Sequence, residues 1–408
     1  MWVETLMPQT GEGGPLSDVT VLDFGQIYQG PYATFLLAKA GANVIKVEPP
    51  GGEFLRDRAN VSIGSTLPFE MLNCNKRSIT INLKSNEGRE LVIELAKRVD
   101  VVVENFAPGV MDRLEVGWNS LSAINPRLIY ATGTGYGISG PDRDNLAMDI
   151  TVQAASGIMS VTGFPDGPPL KAGPAVVDFL GGCHLYAAVL TALHERNRTG
   201  RGRLVEVAMQ ETVFPTLASS LGMVFDNDGA DAVRTGNRHS GLSVSPYNVY
   251  RAKDGFVAII VLNPAHWTSL LKMIGKEDLA NDPRFATNAD RCKHMDETDA
   301  LIESWTSQFA KSEIKALAKS YRVPMAPVRE ISEVLADEHM HQRKALEVVN
   351  HPRLGSITVA ASPIRIHGAK HLQYEPSPEL GEHNDEVLAE LLGMGCEEVA
   401  KLRDQGAI

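Results

Sequence analysis

The chain has 408 residues, of which 43% are hydrophobic and 22% are charged, as is typical of a soluble globular protein with two or three domains. It carries 39 Lys and Arg residues against 50 Asp and Glu residues, a formal net charge of −11. This balance argues against a nucleic-acid-binding protein, which needs a clustered basic surface. It does not exclude an anionic small ligand, because a local group of cations can override the net charge.

The four cysteines, Cys74, Cys183, Cys292 and Cys396, are far apart and form neither a CxxC pair nor a zinc-binding spacing. We therefore expect reduced thiols, a cytoplasmic location and no metal site. No apolar run approaches the roughly 20 residues of a membrane helix, so we expect no membrane association. Residues 1–18 lack the basic and apolar regions of a secretory signal and are expected to form a flexible leader.

The first regular elements follow a strand–helix–strand pattern. Residues 20–24 predict a strand, a glycine-containing turn follows, and Pro31 suits the first position of a helix that ends at Gly41. Residues 44–48 predict the next strand. Such a βαβ unit favours a parallel sheet with a right-handed crossover.

The same alternation recurs further along the chain. Strands are predicted at residues 78–83, 100–104 and 128–132, and an amphipathic helix is predicted at residues 87–98. The pattern predicts an α/β fold, in which residues 19–225 form a large domain with a parallel sheet covered on both faces.

The composition changes after this large domain. An acidic, glycine-containing segment at residues 226–231 predicts a linker, and strand patterns follow at 247–250 and 255–262. We therefore predict a smaller α+β domain over residues 226–330. Residues 331–408 are predicted to form a C-terminal segment that returns to the large domain.

The first βαβ unit also has some features of a dinucleotide site, since an acidic residue, Glu48, closes its second strand. The turn at residues 25–31 nevertheless lacks the GxGxxG pattern. Pro31 moreover removes an N–H group that a pyrophosphate would use. The sequence therefore disfavours NAD binding.

Asp178 is the most informative single residue. It follows a pair of β-branched residues and precedes a glycine pair and an apolar run with helical spacing at Leu185, Val189 and Leu193. This pattern predicts an extended segment, a turn that carries a carboxylate, and then a buried helix. The free N–H groups of the helix would keep the acid ionised, and an ionised carboxylate can act as a nucleophile. The alternative is a simple helix N-cap.

Several further motifs, in this order and spacing, resemble those of the class III CoA transferases, the CaiB/BaiF type that includes the formyl-CoA and carnitine CoA transferases. The resemblance extends from Val19 to the end of the chain. The matching motifs are residues 41–48, 75–78, 104–109, 135–137, Asp178 with Gly181 and Gly182, 199–202, and 381–385.

The resemblance implies a Rossmann-like large domain, a small domain and an interlocked homodimer. It implies reversible transfer of CoA between an acyl-CoA and a free carboxylic acid, with CoA as a substrate and no tightly bound cofactor. Asp178 would form first an acyl-aspartyl anhydride and then an aspartyl-CoA thioester. Gly181 and Gly182 would allow close approach of the thioester and offer N–H groups to a developing oxyanion, or would serve only helix packing.

The predicted CoA-binding residues combine the resemblance with local chemistry. Asn105 matches the family position beside the CoA thiol, and Arg113 matches an arginine of the CoA-binding region. Lys76 with Arg77, and Arg56 with Arg58, are local cations that suit the three phosphates of CoA. For Asn105 the alternative is a backbone-bonded loop residue, and for Arg113 a solvated helix charge. The predicted set is Arg56, Asn75, Lys76, Arg77, Asn105, Phe106, Arg113 and Tyr136.

A second carboxylate, Asp149, lies where the transferases carry an acidic residue near the active site. It could orient the acceptor acid or raise the pKa of Asp178 by like-charge repulsion. Its alternative role is another helix cap.

The runner-up function is that of an α-methylacyl-CoA racemase, which moves a proton with a His–Asp pair. The position that holds histidine in those enzymes is Met148 here, and a thioether carries no proton, which favours the transferase.

Family breadth and the polar loop at Arg238 and His239 suggest small dicarboxylates of the succinate, malate, itaconate or mesaconate type. That loop could equally be solvated. Tyr28 stands where formyl-CoA transferase has a glutamine, a departure that argues against oxalate specificity.

Overall fold

The computed structural model describes residues 14–226, 228–369 and 372–408. Most of the predicted leader, residues 1–18, lies outside these ranges. The chain divides into two compact units. The first comprises residues up to Val152, Pro174–Val213 and Glu338–Ile408, and the second comprises Gln153–Gly173 and Phe214–Asp337. The domains expected from the sequence, residues 19–225, 226–330 and 331–408, stay a prediction.

The first unit contains a six-stranded sheet in which all strands run parallel. The strands are β1 Thr20–Asp23, β2 Asn43–Glu48, β3 Arg77–Thr80, β4 Val101–Glu104, β5 Ile129–Thr134 and β6 Leu204–Ala208. Their order across the sheet is β3-β2-β1-β4-β5-β6, the order of a doubly wound nucleotide-binding fold. The predicted α/β class with a parallel sheet is confirmed.

Smaller antiparallel sheets account for the other strands. They are β7 Tyr247–Ala252, β8 Gly255–Ile260 and β9 Met325–Pro327 in the second unit, and the hairpin β10 Leu346–His351 and β11 Gly355–Ala360 in the first. The predicted strand β3 was extended too far, to residue 83. It ends earlier because the Asn82 N–H group bonds the carbonyl of Ala407 and so leaves the ladder with β2.

The helices follow in chain order. They are α1 Gln29–Lys39, α2 Phe54–Asp57, α3 Leu67–Asn73, α4 Asn86–Ala96, α5 Val110–Arg113, α6 Trp118–Ile124, α7 Asp149–Ala155, α8 Val176–Thr199, α9 Met209–Val213, α10 Ala218–Asp226, α11 Pro264–Ile274, α12 Asn288–Lys293, α13 Met295–Thr306, α14 Lys311–Tyr321, α15 Ile331–Leu335, α16 Glu338–Gln342, α17 Asn384–Leu392 and α18 Cys396–Asp404. The helices predicted at 31–40 and 87–98 are confirmed within two residues at either end.

The side chains of alternate residues in the parallel strands pack into two separate hydrophobic cores, one on each face of the sheet. On one face, Leu22 and Val102 pack with α4 and α17. On the other face, Val21 and Val103 pack with α1 and α8. Strands buried on both faces need continuous apolar sequence, which explains the Val101–Val103 run.

Helix α8 crosses the second of these faces. By length and composition it is the one helix of the described residues that could span a membrane, whereas the sequence reading found no such run. Its Leu185, Val189 and Leu193 are buried against the sheet. These contacts are those of a core helix, and they fix the direction in which its first turn points.

The second unit has a core of its own. The strands β7, β8 and β9 form a sheet in that order, and α11, α13 and α14 cover it. Tyr250, Trp267, Leu270, Ile302 and Ile314 are all at most 3% exposed. The predicted strands at 247–250 and 255–262 are confirmed.

Candidate active site

Asp178 lies inside the first turn of α8 and is not an N-cap. Helix α8 begins at Val176, and Ala175 is the residue at the N-cap position, with no side-chain capping bond. The prediction of a turn followed by a helix therefore placed the helix start too late. No hydrogen bond joins the Asp178 carboxylate to another described residue, so both of its oxygens can meet a ligand.

Asp149, the first residue of α7, satisfies the N-terminus of α8 instead. Its Oδ1 accepts the N–H groups of Val177 at 2.9 Å and of Asp178 at 3.4 Å. Two of the N–H groups that every helix leaves open are thus bonded by an acid from another helix. The capping alternative weighed for Asp178 is wrong because Asp149 performs that task in its place.

The electrostatics of this pair differ from the expectation that the helix end keeps Asp178 fully ionised. Burial, with a further contribution from the neighbouring Asp149 carboxylate, raises the pKa of Asp178 to about 7. A carboxylate normally titrates near 3.9. The nucleophile is therefore held close to the pH at which it gains and loses its proton, which makes it more basic than an ordinary aspartate.

We expect Asp149→Asn to move the acid limb of the reaction to lower pH. The amide oxygen can still accept the two N–H groups, but the like charge beside Asp178 is gone, so the pKa of Asp178 falls below about 7. The rate of acyl transfer to the enzyme should rise with pH through this pKa, since only the ionised acid attacks. Single-turnover rates between pH 5 and 9 measure it, and an unmoved midpoint would contradict the coupling. Asp149→Ala is the comparison that also removes the cap.

Three aromatic side chains lie together next to the turn that carries Asp178, and the sequence analysis did not assign them to the site. Phe179, the residue after Asp178, lies with its ring centroid 5.9 Å from that of Tyr28 and 4.7 Å from that of Tyr32. Tyr28 and Tyr32 come from the start of α1. Their spacing of four residues was the available signal, because such residues share a helix face.

Gly181 and Gly182 serve close packing of α8 on α1. A side chain at Gly181 would lie 2.8 Å from Nε2 of Gln29, and one at Gly182 would lie 2.8 Å from the Gln29 carbonyl oxygen. Both glycines lie in the second turn of α8, where N–H groups donate within the helix. The expected oxyanion role of their N–H groups is therefore not supported, and the packing alternative is.

Asn105 holds the turn between β1 and α1. Its Oδ1 accepts the Gln26 N–H at 2.7 Å, and its Nδ2 donates to the Gln26 carbonyl at 3.0 Å. Strands β1 and β4 are neighbours, so the residues after them meet at one edge of the sheet. Phe106, which is half-buried beside Asn105, donates its N–H to the Glu104 carboxylate.

Lys76 is enclosed and does not face solvent. Its Nζ bonds Asp23 Oδ2, Thr34 Oγ1 and Asn73 Oδ1, each at 2.8 Å, and its side chain is 0% exposed. The assignment of Lys76 to the CoA phosphates is corrected on this ground, because an ammonium group with these partners has no surface left for a ligand.

Two other predicted cations are also paired within the protein. Arg56 forms a two-pronged bond to Glu48 and donates to the Pro378 carbonyl. Arg77 contacts Glu386 at 3.0 Å and Glu390 at 2.5 Å. Neither guanidinium group is therefore free to bind phosphate without giving up a carboxylate.

The remaining predicted residues are more scattered. Asn75 has a positive φ of 58° and donates to the Gln373 carbonyl. Arg113 is exposed at the end of α5, and Tyr136 is half-buried in the loop after β5. The structure thus brings Asp178, Asp149 and the glycine pair together at the start of α8 and does not join the predicted CoA set into one cluster.

The loop that had suggested dicarboxylate binding is occupied. Arg238 bonds Asp299 at 2.7 Å and Asp296 at 2.5 Å. The Nδ1 of His239 accepts the N–H of Gly241 at 3.2 Å. An arginine that already has two acids does not attract a third, so this loop carries no argument for the substrate.

Comparison with known proteins agrees with this geometry. The sequence model of CoA-transferase family III matches residues 16–384. The chain belongs to this family. It is 38% identical to a formyl-CoA:oxalate CoA-transferase of Streptomyces coelicolor, over 96% of this chain and 99% of that protein. It is 37% identical to a succinyl-CoA–D-citramalate CoA-transferase of Chloroflexus aurantiacus, over 97% and 98% of the two chains.

The fold has solved counterparts as well. A crystal structure of a CaiB/BaiF family protein from Brucella suis has a TM-score of 0.81 and 34% identity, and the match covers 93% of this chain and 100% of that one. The family III CoA transferase assignment predicted from the motifs is therefore confirmed, and the protein is an enzyme of that class.

Proposed function

We propose that this CoA transferase works through Asp178 as a covalent nucleophile. One Asp178 oxygen attacks the thioester carbonyl of the donor, the C–S bond breaks, and CoA leaves as its thiolate, which gives an acyl-aspartyl anhydride. The thiolate then attacks the aspartyl carbonyl, which releases the donor acid and leaves an aspartyl-CoA thioester.

The second half of the reaction runs the same steps in reverse order, with the acceptor acid in place of the donor acid. Its carboxylate attacks the aspartyl thioester, which forms a new anhydride and releases the thiolate again. The thiolate attacks the acceptor's acyl carbon, so that a new acyl-CoA departs and the Asp178 carboxylate is regenerated. No proton or electron is gained or lost over the cycle, which suits an active site whose central group is a carboxylate.

The observation that carries this proposal is the environment of Asp178. Its carboxylate has no hydrogen-bond partner among the described residues, because Asp149 caps the helix in its place. Its raised pKa makes it a stronger nucleophile than an ordinary aspartate. Met148, 58% exposed beside Asp149, supplies no group for proton transfer, which favours CoA transfer over racemisation.

For the substrates we propose an acyl-CoA donor and a small dicarboxylic acid of the succinate, malate, itaconate or mesaconate type. Oxalate and citramalate, named in two relatives, are both dicarboxylates. The interlocked homodimer and the cytoplasmic location belong to the same proposal. So does the role of CoA as a substrate that is not held as a tightly bound cofactor.

The proposal predicts that an acyl-CoA donor labels residue 178. We expect mass spectrometry after exposure to succinyl-CoA, followed by hydroxylamine or borohydride trapping, to find the modification on the peptide that contains Asp178. A labelled dicarboxylic acid should appear as its CoA ester, without exchange of its α-hydrogen. A modification at another residue, or α-deuterium exchange without transfer, would overturn the mechanism. Asp166→Asn, a change of an exposed aspartate, is the matched control.

A further inference from the structure

We propose that Arg58 binds the second carboxylate of the dicarboxylic substrate, the one that does not react. This inference rests on the proposed function and adds to it a residue that determines specificity. The surroundings of the Arg58 guanidinium group differ from those of the neighbouring cations.

Arg58 follows α2 and opens a short 3₁₀ turn, Arg58–Asn60. Its Nη1 donates to the hydroxyl of Tyr28 at 3.3 Å, and its Cζ lies 5.3 Å from the ring centroid of Phe54. A hydroxyl and an aromatic ring orient a guanidinium group without neutralising it. The side chain is half-buried, so its charge is partly removed from water.

The neighbouring cations all have acids. Arg56 pairs with Glu48 at 2.8 Å, and Lys46 pairs with Glu53 at 3.3 Å. By contrast, no acid among the described residues lies within 4 Å of the Arg58 guanidinium. Arg58 is therefore available to an anionic ligand, whereas the cations beside it are held within the fold.

Arg58 is also linked by contacts to the first turn of α8, which carries the nucleophile. Tyr28, whose hydroxyl it bonds, has its ring 5.9 Å from that of Phe179, and Phe179 directly follows Asp178. One aromatic contact thus separates the cation from the turn that carries the reacting carboxylate. An acid with one carboxyl group at Asp178 and a second one a few bonds away could meet a guanidinium group at this position.

The type of anion follows from this position. Guanidinium groups bind carboxylates and phosphates through paired N–H donors. In an acyl-CoA, the pantetheine arm separates the thioester from the phosphates by many bonds. A cation linked through Tyr28 and Phe179 to the turn of Asp178 is closer in the fold to the acyl end of the substrate than to its phosphates, and we assign it to the carboxylate.

The experiment compares dicarboxylic acceptors with monocarboxylic acids of the same chain length. The acceptors are oxalate, succinate, malate and mesaconate, and the best of them is tested beside its monocarboxylic analogue, such as succinate beside butyrate. We expect Arg58→Gln to lower kcat/KM for the dicarboxylate by about 10- to 100-fold, the range of a hydrogen bond to a charged group. The value for the monocarboxylate should change by less than about 3-fold, because it makes no such bond.

Three further variants sharpen the test. Arg58→Lys should recover part of the loss, since it keeps the charge without the paired donors. Tyr28→Phe should show a smaller loss in the same direction, because Arg58 loses the hydroxyl that orients it. Arg98→Gln, a change of an exposed arginine two residues after α4, is the control for loss of one positive charge.

Other outcomes would overturn the inference. Equal losses for both acids, no loss for either, or a wild-type enzyme without preference for the dicarboxylate would each do so. A raised KM for every acyl-CoA donor would assign Arg58 to a CoA phosphate instead. Labelling of Asp178 separates the two proposals. If wild-type Asp178 is labelled but Arg58→Gln changes kcat/KM equally for both acids, only this inference is refuted. If wild-type Asp178 is not labelled, the proposed function is refuted.

Discussion

Replacement of Asp178 by asparagine or alanine is expected to lower CoA transfer by a factor on the order of 10⁴ to 10⁶, the range seen when an enzyme loses its nucleophile. Asparagine keeps the shape of the side chain but has no ionised oxygen to attack the thioester, and alanine removes both. Steady-state transfer and trapping of the acylated enzyme measure the loss. Normal turnover by either variant would refute the covalent mechanism.

The stability of Asp178→Asn provides an independent control. The pKa of Asp178 is raised in the folded protein, so burial and Asp149 oppose its ionised form. Its contribution to stability is fully present below the unfolded pKa of about 3.9 and is lost as the pH rises through about 7. We therefore expect the urea midpoint of the asparagine variant to rise relative to that of wild type as the pH increases from 5 to 8. A variant that is inactive and also less stable at pH 8 would indicate misfolding.

Whether the sequence predicts the role of a residue depends on how far along the chain its contact partners lie. The parallel strands and the core face of α8 follow from local periodicity, because burial repeats every two residues in a strand and every three to four in a helix. Asp178 was identified from its setting between a β-branched pair and a glycine pair. Its capping partner, Asp149, comes from a separate helix, and the sequence could offer it only as one of several possibilities.

The roles of the predicted CoA-binding cations could not be predicted from the sequence, because their partners lie far away along the chain. Lys76 and Arg77 stand side by side in the sequence, yet one is enclosed with Asp23 and the other bonds Glu390, 313 positions away. A local basic pair is equally consistent with phosphate binding and with such long-range pairing. Charge patterning alone therefore could not separate Arg56, which pairs with Glu48, from Arg58, which has no acid within 4 Å among the described residues.

Lys76→Met is expected to cost about 3–5 kcal/mol of folding stability, the usual effect of removing one partner from a buried ion pair. Asp23 and Lys76 are both fully enclosed, at 2.8 Å from each other. Burial by itself would raise the pKa of Asp23, but the Lys76 and Lys46 ammonium groups outweigh it and hold that pKa below its usual value. Without Lys76 a buried carboxylate keeps only part of its compensation.

The pH dependence follows from the same pair. In the wild-type protein the lowered pKa of Asp23 stabilises the fold above the unfolded pKa, and this stability is lost as the pH falls. In Lys76→Met the pKa of Asp23 should rise, since burial then dominates, so the penalty should grow with pH. Urea midpoints of the variant and wild type should therefore differ more at pH 8 than at pH 5.5.

A double variant distinguishes this structural role from the phosphate-binding role that the sequence suggested. Asp23→Asn with Lys76→Met removes both charges, and the asparagine oxygen can still accept the N–H of Gly25, which Asp23 holds at 2.8 Å. We expect it to recover about 1–3 kcal/mol relative to the sum of the single changes. The KM for the acyl-CoA donor should stay within about 2-fold of wild type wherever the protein is folded. A Lys76→Met protein of normal stability with a raised KM would instead return Lys76 to the CoA phosphates.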